Sequence, residues 1–103
     1  MIALVFRYDA RDPADFERAY GADGEWAQFF RQGVGYIGTE LLRDIDEPDR
    51  YIVIDRWESA EAYSAFLAEH GDEYLRRSEE ALFYYVQELR MGTFENLWPT
   101  TTA

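Results

Sequence analysis

The chain has no cysteine, a single histidine and three prolines in 103 residues. Without cysteine it can hold no disulfide, run no thiolate chemistry and build no thiolate metal site, and its redox compartment leaves no mark on the sequence. No apolar run is long enough for a membrane span. The N-terminal "MIALVFRYDA" carries no basic leader, so the cytoplasm is the expected location. A glycine-rich phosphate loop, a nucleophile elbow and a His/Asp cluster at metal-ligand spacing are all missing, and no metal or cofactor is expected. Basic side chains are scarce as well. Ten Lys and Arg against 21 Asp and Glu give a formal charge of -11, which repels phosphate backbones and anionic bilayers at long range. Neither nucleic acid nor a membrane is an expected partner.

What the chain has in quantity is aromatic side chains. Three tryptophans, eight tyrosines and seven phenylalanines make up 17% of it, enough for a bulky core or for the wall of a pocket that takes a flat apolar ligand. Residues 2 to 8, "IALVFRY", read as a strand because β-branched and aromatic residues dominate and no turn residue interrupts. Asp12 and Pro13 then suit the cap and first position of a helix, with Phe16 and Tyr20 an i, i+4 pair on its apolar face. "GADG" breaks that helix. Trp26, Phe29 and Phe30 resume a helical stripe out of phase with Phe16, which predicts a kink or a second short helix ending at Gly33.

Residues 34 to 46 read as a second strand, and "EPDR" as a turn into a third over 51 to 58, the two forming a hairpin. At Trp57 the period switches from two to helical: Tyr51 to Glu58 alternate, whereas Tyr63, Phe66 and Leu67 share a helix face beyond the N-cap Ser59. Gly71 is the expected stop of that helix. "DEYLRRSEEAL" restarts or continues it, with Tyr74, Leu75, Ser78 and Leu82 on one stripe. A last strand covers 83 to 94, and "ENLWPTTTA" is a tail lying on the surface or against a neighbour.

The order strand, helix, strand, strand, helix, strand is the ferredoxin-like βαββαβ arrangement of the α+β class, a four-stranded antiparallel sheet with two helices on one face. Yet the strands are apolar on both faces: Leu4, Phe6 and Tyr8 alternate with Ala3 and Val5, and Ile52 and Ile54 with Tyr51 and Val53. A second copy of the chain, sheet against sheet, would cover the face the helices leave, so a homodimer is expected. Arg7, Glu40, Arg43, Asp55, Arg56, Glu88 and Arg90 interrupt these strands. Some of them are expected between the sheets, as interfacial ion pairs or as an arginine steadying a phenolate or enolate.

The stretch "ELLRDIDEPDRYIVIDRWESAEAYSAFL" resembles the antibiotic biosynthesis monooxygenase family, and the strand order fits it over residues 1 to 95, leaving 96 to 103 as the tail. The resemblance implies a dimeric α+β barrel with a pocket between sheet and helices in each subunit. The branch that oxidises anthrone-like phenols to quinones without metal or flavin carries a tryptophan, a tyrosine six residues on and an arginine twenty residues on. These match Trp57, Tyr63 and Arg77, and the resemblance implies that the first stacks the substrate, the second hydrogen-bonds its phenol and the third compensates developing charge. An asparagine of that branch is replaced by Val53. In the haem-degrading branch the matched tryptophan and histidine positions are Phe66 and Arg76, and the first strand has no asparagine. Phe66 and His70, on the helix face of Tyr63, are the candidate substrate-binding residues. The readings are therefore a cofactor-free monooxygenase of a small aromatic molecule, a haem-binding or haem-degrading protein, or a non-catalytic small-molecule-binding domain.

Overall fold

The computed structural model describes residues 1–97. Strand β1 (Ile2–Ala10) leads into helix α1 (Pro13–Tyr20) and the short helix α2 (Glu25–Phe30). Strands β2 (Tyr36–Arg43) and β3 (Arg50–Trp57) follow, then helix α3 (Ala60–Ala81) and strand β4 (Tyr85–Glu95). The four strands form one antiparallel sheet in the order β2-β3-β1-β4, the expected ferredoxin-like α+β fold. As expected, Asp12 caps α1 by accepting from the Asp15 amide, and Pro13 opens it. Here the chain needs no backbone donor, and φ is already set for a helix.

Strand register sorts the side chains. Leu4 pairs with Asp55, Phe6 with Val53 and Tyr8 with Tyr51, and because successive residues point to opposite faces these all lie on the helix side. Trp57 belongs to the same row and is fully buried, ringed by Phe30, Tyr36, Tyr63 and Phe66 at centroid distances of 5.3 to 5.8 Å. Gly33 makes this packing feasible, since a Cβ there would lie 2.7 Å from the Phe66 ring and 2.8 Å from that of Trp57. A second aromatic cluster around Phe16, Tyr20 and Tyr51 fills the other end.

Several expectations change. Gly71 does not stop α3. The helix kinks at His70 (φ -116, ψ 21) and runs on to Ala81, because Tyr74 and Ser78 beyond the kink still have interior to face and tertiary packing outweighs a local stop. Leu75 and Leu82 leave the expected stripe and are 64% and 59% exposed. The last strand starts two residues late, behind a 3-10 turn at Leu82–Tyr84, and β2 is shorter than 34 to 46. Most of the expected tail lies outside the described residues. The strand charges divide by register: Arg7, Glu40 and Arg56 share the outer face with Val5, Ile52 and Ile54, whereas Arg43, Asp55, Glu88 and Arg90 stand opposite helix-side residues. Asp55 and Glu88 thus face the helices, not a sheet-to-sheet interior.

Candidate functional site

Between the inner face of the sheet and the helices lies a cavity in which about 130 Å³ is open to the centres of water-sized molecules. By that measure one water needs about 10 to 15 Å³, so the space equals roughly ten waters, enough for a small fused-ring molecule. Leu4, Phe6 and Val53 make its floor, Trp26 and Phe30 of α2 one wall, and Tyr63, Tyr74 and Ser78 of α3 the roof. Aromatic rings offer flat faces at low entropic cost, so such a lining suits a planar ligand.

Polar groups gather at two levels. At the Leu4 level, Asp55 is 9% exposed, and burial pushes its carboxyl from 3.8 up to about 6, with the Thr39 hydroxyl partly opposing. Thr39 Oγ1 donates to Asp55 Oδ1 at 2.6 Å and lies 2.5 Å from the Tyr36 hydroxyl. At the Tyr8 level, Tyr8 donates to Glu88 Oε2 at 2.6 Å, and Tyr85 donates to Oε1 at 3.4 Å. Four residues of β1 separate the two levels, about 13 Å along a strand. Burial also raises the phenols of Tyr8, Tyr20 and Tyr63 far above their ordinary value, with Tyr74 the next contributor at Tyr63. They stay neutral and remain hydrogen-bond donors.

Of the five residues singled out from the sequence, Tyr63 alone lines this cavity. Trp57 and Phe66 form the layer behind it, with ring centroids 5.3 Å apart, and Trp57 Nε1 is buried without a partner among the described residues. Arg77 sits in a surface groove beyond Trp26. Its Nε donates to Glu73 Oε2 at 2.8 Å, and its guanidinium lies 4.7 Å above the Phe29 ring. The His70 ring packs 4.6 Å from that of Phe66, outside the cavity. Sequence reasoning missed Asp55, Thr39, Tyr74 and Trp26 as lining residues. The one available signal was Asp55 in phase with Val53 and Trp57 on a strand whose inner row is otherwise apolar. Among the described residues no three His, Cys, Asp or Glu side chains group to hold a metal ion, and no helix is long and apolar enough to cross a membrane.

The fold has close counterparts. An asparagine-to-alanine mutant of SnoaB, a cofactor-independent oxygenase from Streptomyces nogalater, superposes with a TM-score of 0.79 at 24% identity, over 98% of this chain and 97% of that one. MhuD, in an arginine-to-serine mutant with two manganese protoporphyrin IX bound per active site, gives 0.71 at 19% identity, over 99% and 100%. A Pseudomonas aeruginosa protein gives 0.63 at 17%, over 94% of each chain. At these identities the likeness is one of fold. Among proteins of curated function none matches the sequence. Residues 1–76 match the model of the antibiotic biosynthesis monooxygenases, the greater part of the chain, and the protein belongs to that family.

Proposed function

We propose that the protein is a cofactor-independent monooxygenase that converts a small polycyclic phenol or anthrone-type molecule to a quinone. The observation that carries this reading is the aromatic cavity whose phenols, Tyr63 among them, are held neutral by burial. A substrate that loses an acidic C–H or O–H proton becomes an electron-rich anion able to reduce oxygen by itself. The protein's part is to bind it, keep water out and donate hydrogen bonds to the oxyanion. One electron passes from the carbanion to O2, the radical and superoxide combine into a C–O bond, and the peroxide loses water as its O–O bond breaks. A methylene plus O2 thus gives a carbonyl plus water.

In this reading Tyr63 donates to the substrate oxygen, and Trp57 and Phe66 hold Tyr63 rigidly from behind. Arg77 and His70 act from outside the cavity, Arg77 by anchoring Phe29 and His70 by backing Phe66. Haem ligated by histidine in this cavity does not fit the residues, because His70 faces Phe66 and Phe29 instead. The functional unit is a homodimer, supported by the apolar outer face of the sheet, where Leu42, Leu89 and Phe94 are 47%, 47% and 51% exposed.

The test is oxygen uptake by metal- and flavin-free protein with anthrone or a dihydroxynaphthalene, with the uncatalysed rate subtracted. Loss of one oxyanion donor typically costs about 10²- to 10³-fold, so Tyr63→Phe should lower turnover at least tenfold while leaving the fold intact. Wild-type uptake no faster than background removes the reading in favour of a binding domain.

A further inference from the structure

Among the described residues Asp55 is the one carboxylate buried on the inner face of the sheet, and none of the ion pairs found there includes it. Its partners divide by atom. Oδ1 accepts from Thr39 at 2.6 Å. No hydrogen bond to Oδ2 is found among the described residues, and Asp55 lines the cavity. An ionised carboxylate only accepts, so Thr39 spends its single proton on Asp55, and the Tyr36 hydroxyl donates to Thr39 at 2.5 Å. The chain of three fixes one carboxylate oxygen and leaves the other for whatever enters. The titratable groups around Asp55 are Tyr36 on β2 and Tyr63 on α3, both of whose phenols feel its charge. Leu4, its neighbour on β1, is apolar, and Arg90 on β4 acts on Tyr63. Burial with no cation to neutralise it is costly for a structural carboxylate, and it is the setting that makes one an effective base near neutral pH.

We propose that Asp55 is the catalytic base of the cavity and that Thr39, held by Tyr36, is the residue that positions its carboxylate. Resting on the oxygenase reading above, this names the group that starts the reaction. Oδ2 takes a proton from the substrate's methylene or hydroxyl group, and the electron pair of the broken bond stays on the substrate as the anion that meets O2. The neutral carboxyl then protonates the peroxide. When the carbon's remaining proton passes to Oδ2, the O–O bond breaks, and the departing hydroxide takes that proton as water. Asp55 ends as the carboxylate it was, so one residue serves both transfers without a net proton from solvent.

Proton abstraction can be read without oxygen. Under argon in D2O, wild-type protein should speed exchange of anthrone's methylene hydrogens above the buffer rate, read by mass spectrometry. Asp55→Asn, which can still accept from Thr39, should lower the enzyme-dependent exchange by about 10²-fold while binding of anthraquinone, read by fluorescence quenching, changes less than about twofold. Equal exchange in Asp55→Asn, or none above buffer in wild type, overturns the proposal. Should that variant fail to fold, Thr39→Val takes its place. The exchange-versus-pH midpoint should then rise by about one unit, since a lost hydrogen bond to a charged group is worth roughly that much, and Thr39→Ser should restore it. An unmoved midpoint overturns the positioning role. Exchange without oxygen uptake sinks the oxygenase reading and leaves Asp55 as base, whereas oxygen uptake with undiminished exchange in Asp55→Asn sinks only the role of Asp55.

Discussion

Asp55 is the residue at which stability and chemistry pull in opposite directions. Burial raises its carboxyl from 3.8 to about 6, so between those values the folded state holds a proton that the unfolded chain has released. Stability therefore falls as pH rises through that window and stays lower above it. Two units correspond to roughly 3 kcal/mol at pH 7. Asp55→Asn removes the buried charge, keeps an acceptor for Thr39 and should stabilise the protein by about 2 kcal/mol at pH 7 and by little at pH 4. Denaturant melts at the two pH values check this, and a variant less stable at pH 7 than wild type contradicts it. Such trade-offs mark functional sites, where a group is kept for what it does despite its cost to the fold. The sequence showed Asp55 as one of seven charges on apolar strands. Only the register put it inward, beside Thr39.

At the scale of elements, α3 matters most, since it roofs the cavity with Tyr63, Tyr74 and Ser78. Its start is local chemistry: Ser59 Oγ accepts from the Ala62 amide at 3.1 Å, satisfying one of the free donors of the first turn. Ser59→Ala should cost about 1 kcal/mol, seen as a fall in Tm of about 4 to 8 °C, and an unchanged Tm removes the cap from the account. Its end is not local. Gly71 offers a stop and the backbone bends at His70, yet the helix continues for ten further residues, Asp72 to Ala81, because Tyr74 packs 5.7 Å from Trp26 and Ser78 faces the cavity. Past the bend Arg77 turns toward Glu73 and Phe29, outside the cavity. Counting twenty residues from Trp57 carries no information about that turn.

For the whole molecule the telling feature is the sheet's uncovered face. Val5, Ile52, Ile54, Leu42, Leu89 and Phe94 share it, with Arg7, Glu40 and Arg56 interspersed. A largely apolar sheet face left uncovered is a liability in a monomer and the normal core of an isologous interface. Sedimentation at micromolar concentration should give a species of twice 12.1 kDa, and Leu89→Arg, which puts a further charge on that face beside Arg7, should shift it to monomer. A wild-type species at 12.1 kDa contradicts the dimer.

The sequence by itself determined the element order, the hairpin, the caps at Asp12 and Ser59, the two-faced apolar strands and the aromatic supply. These rest on periodicity, on the stereochemistry of single residues and on composition, all of which are properties of neighbours along the chain. The resemblance to the family also pointed to Tyr63, as the tyrosine six residues after Trp57. The tertiary structure alone decided that Trp57 stands behind the cavity wall, that Arg77 and His70 lie outside, and that Asp55 and Glu88 face inward. Those facts depend on strand register and on where a kinked helix turns over the sheet. Both are set by the packing of residues far apart in sequence, such as Gly33 against Trp57 and Phe66, and no local pattern encodes them.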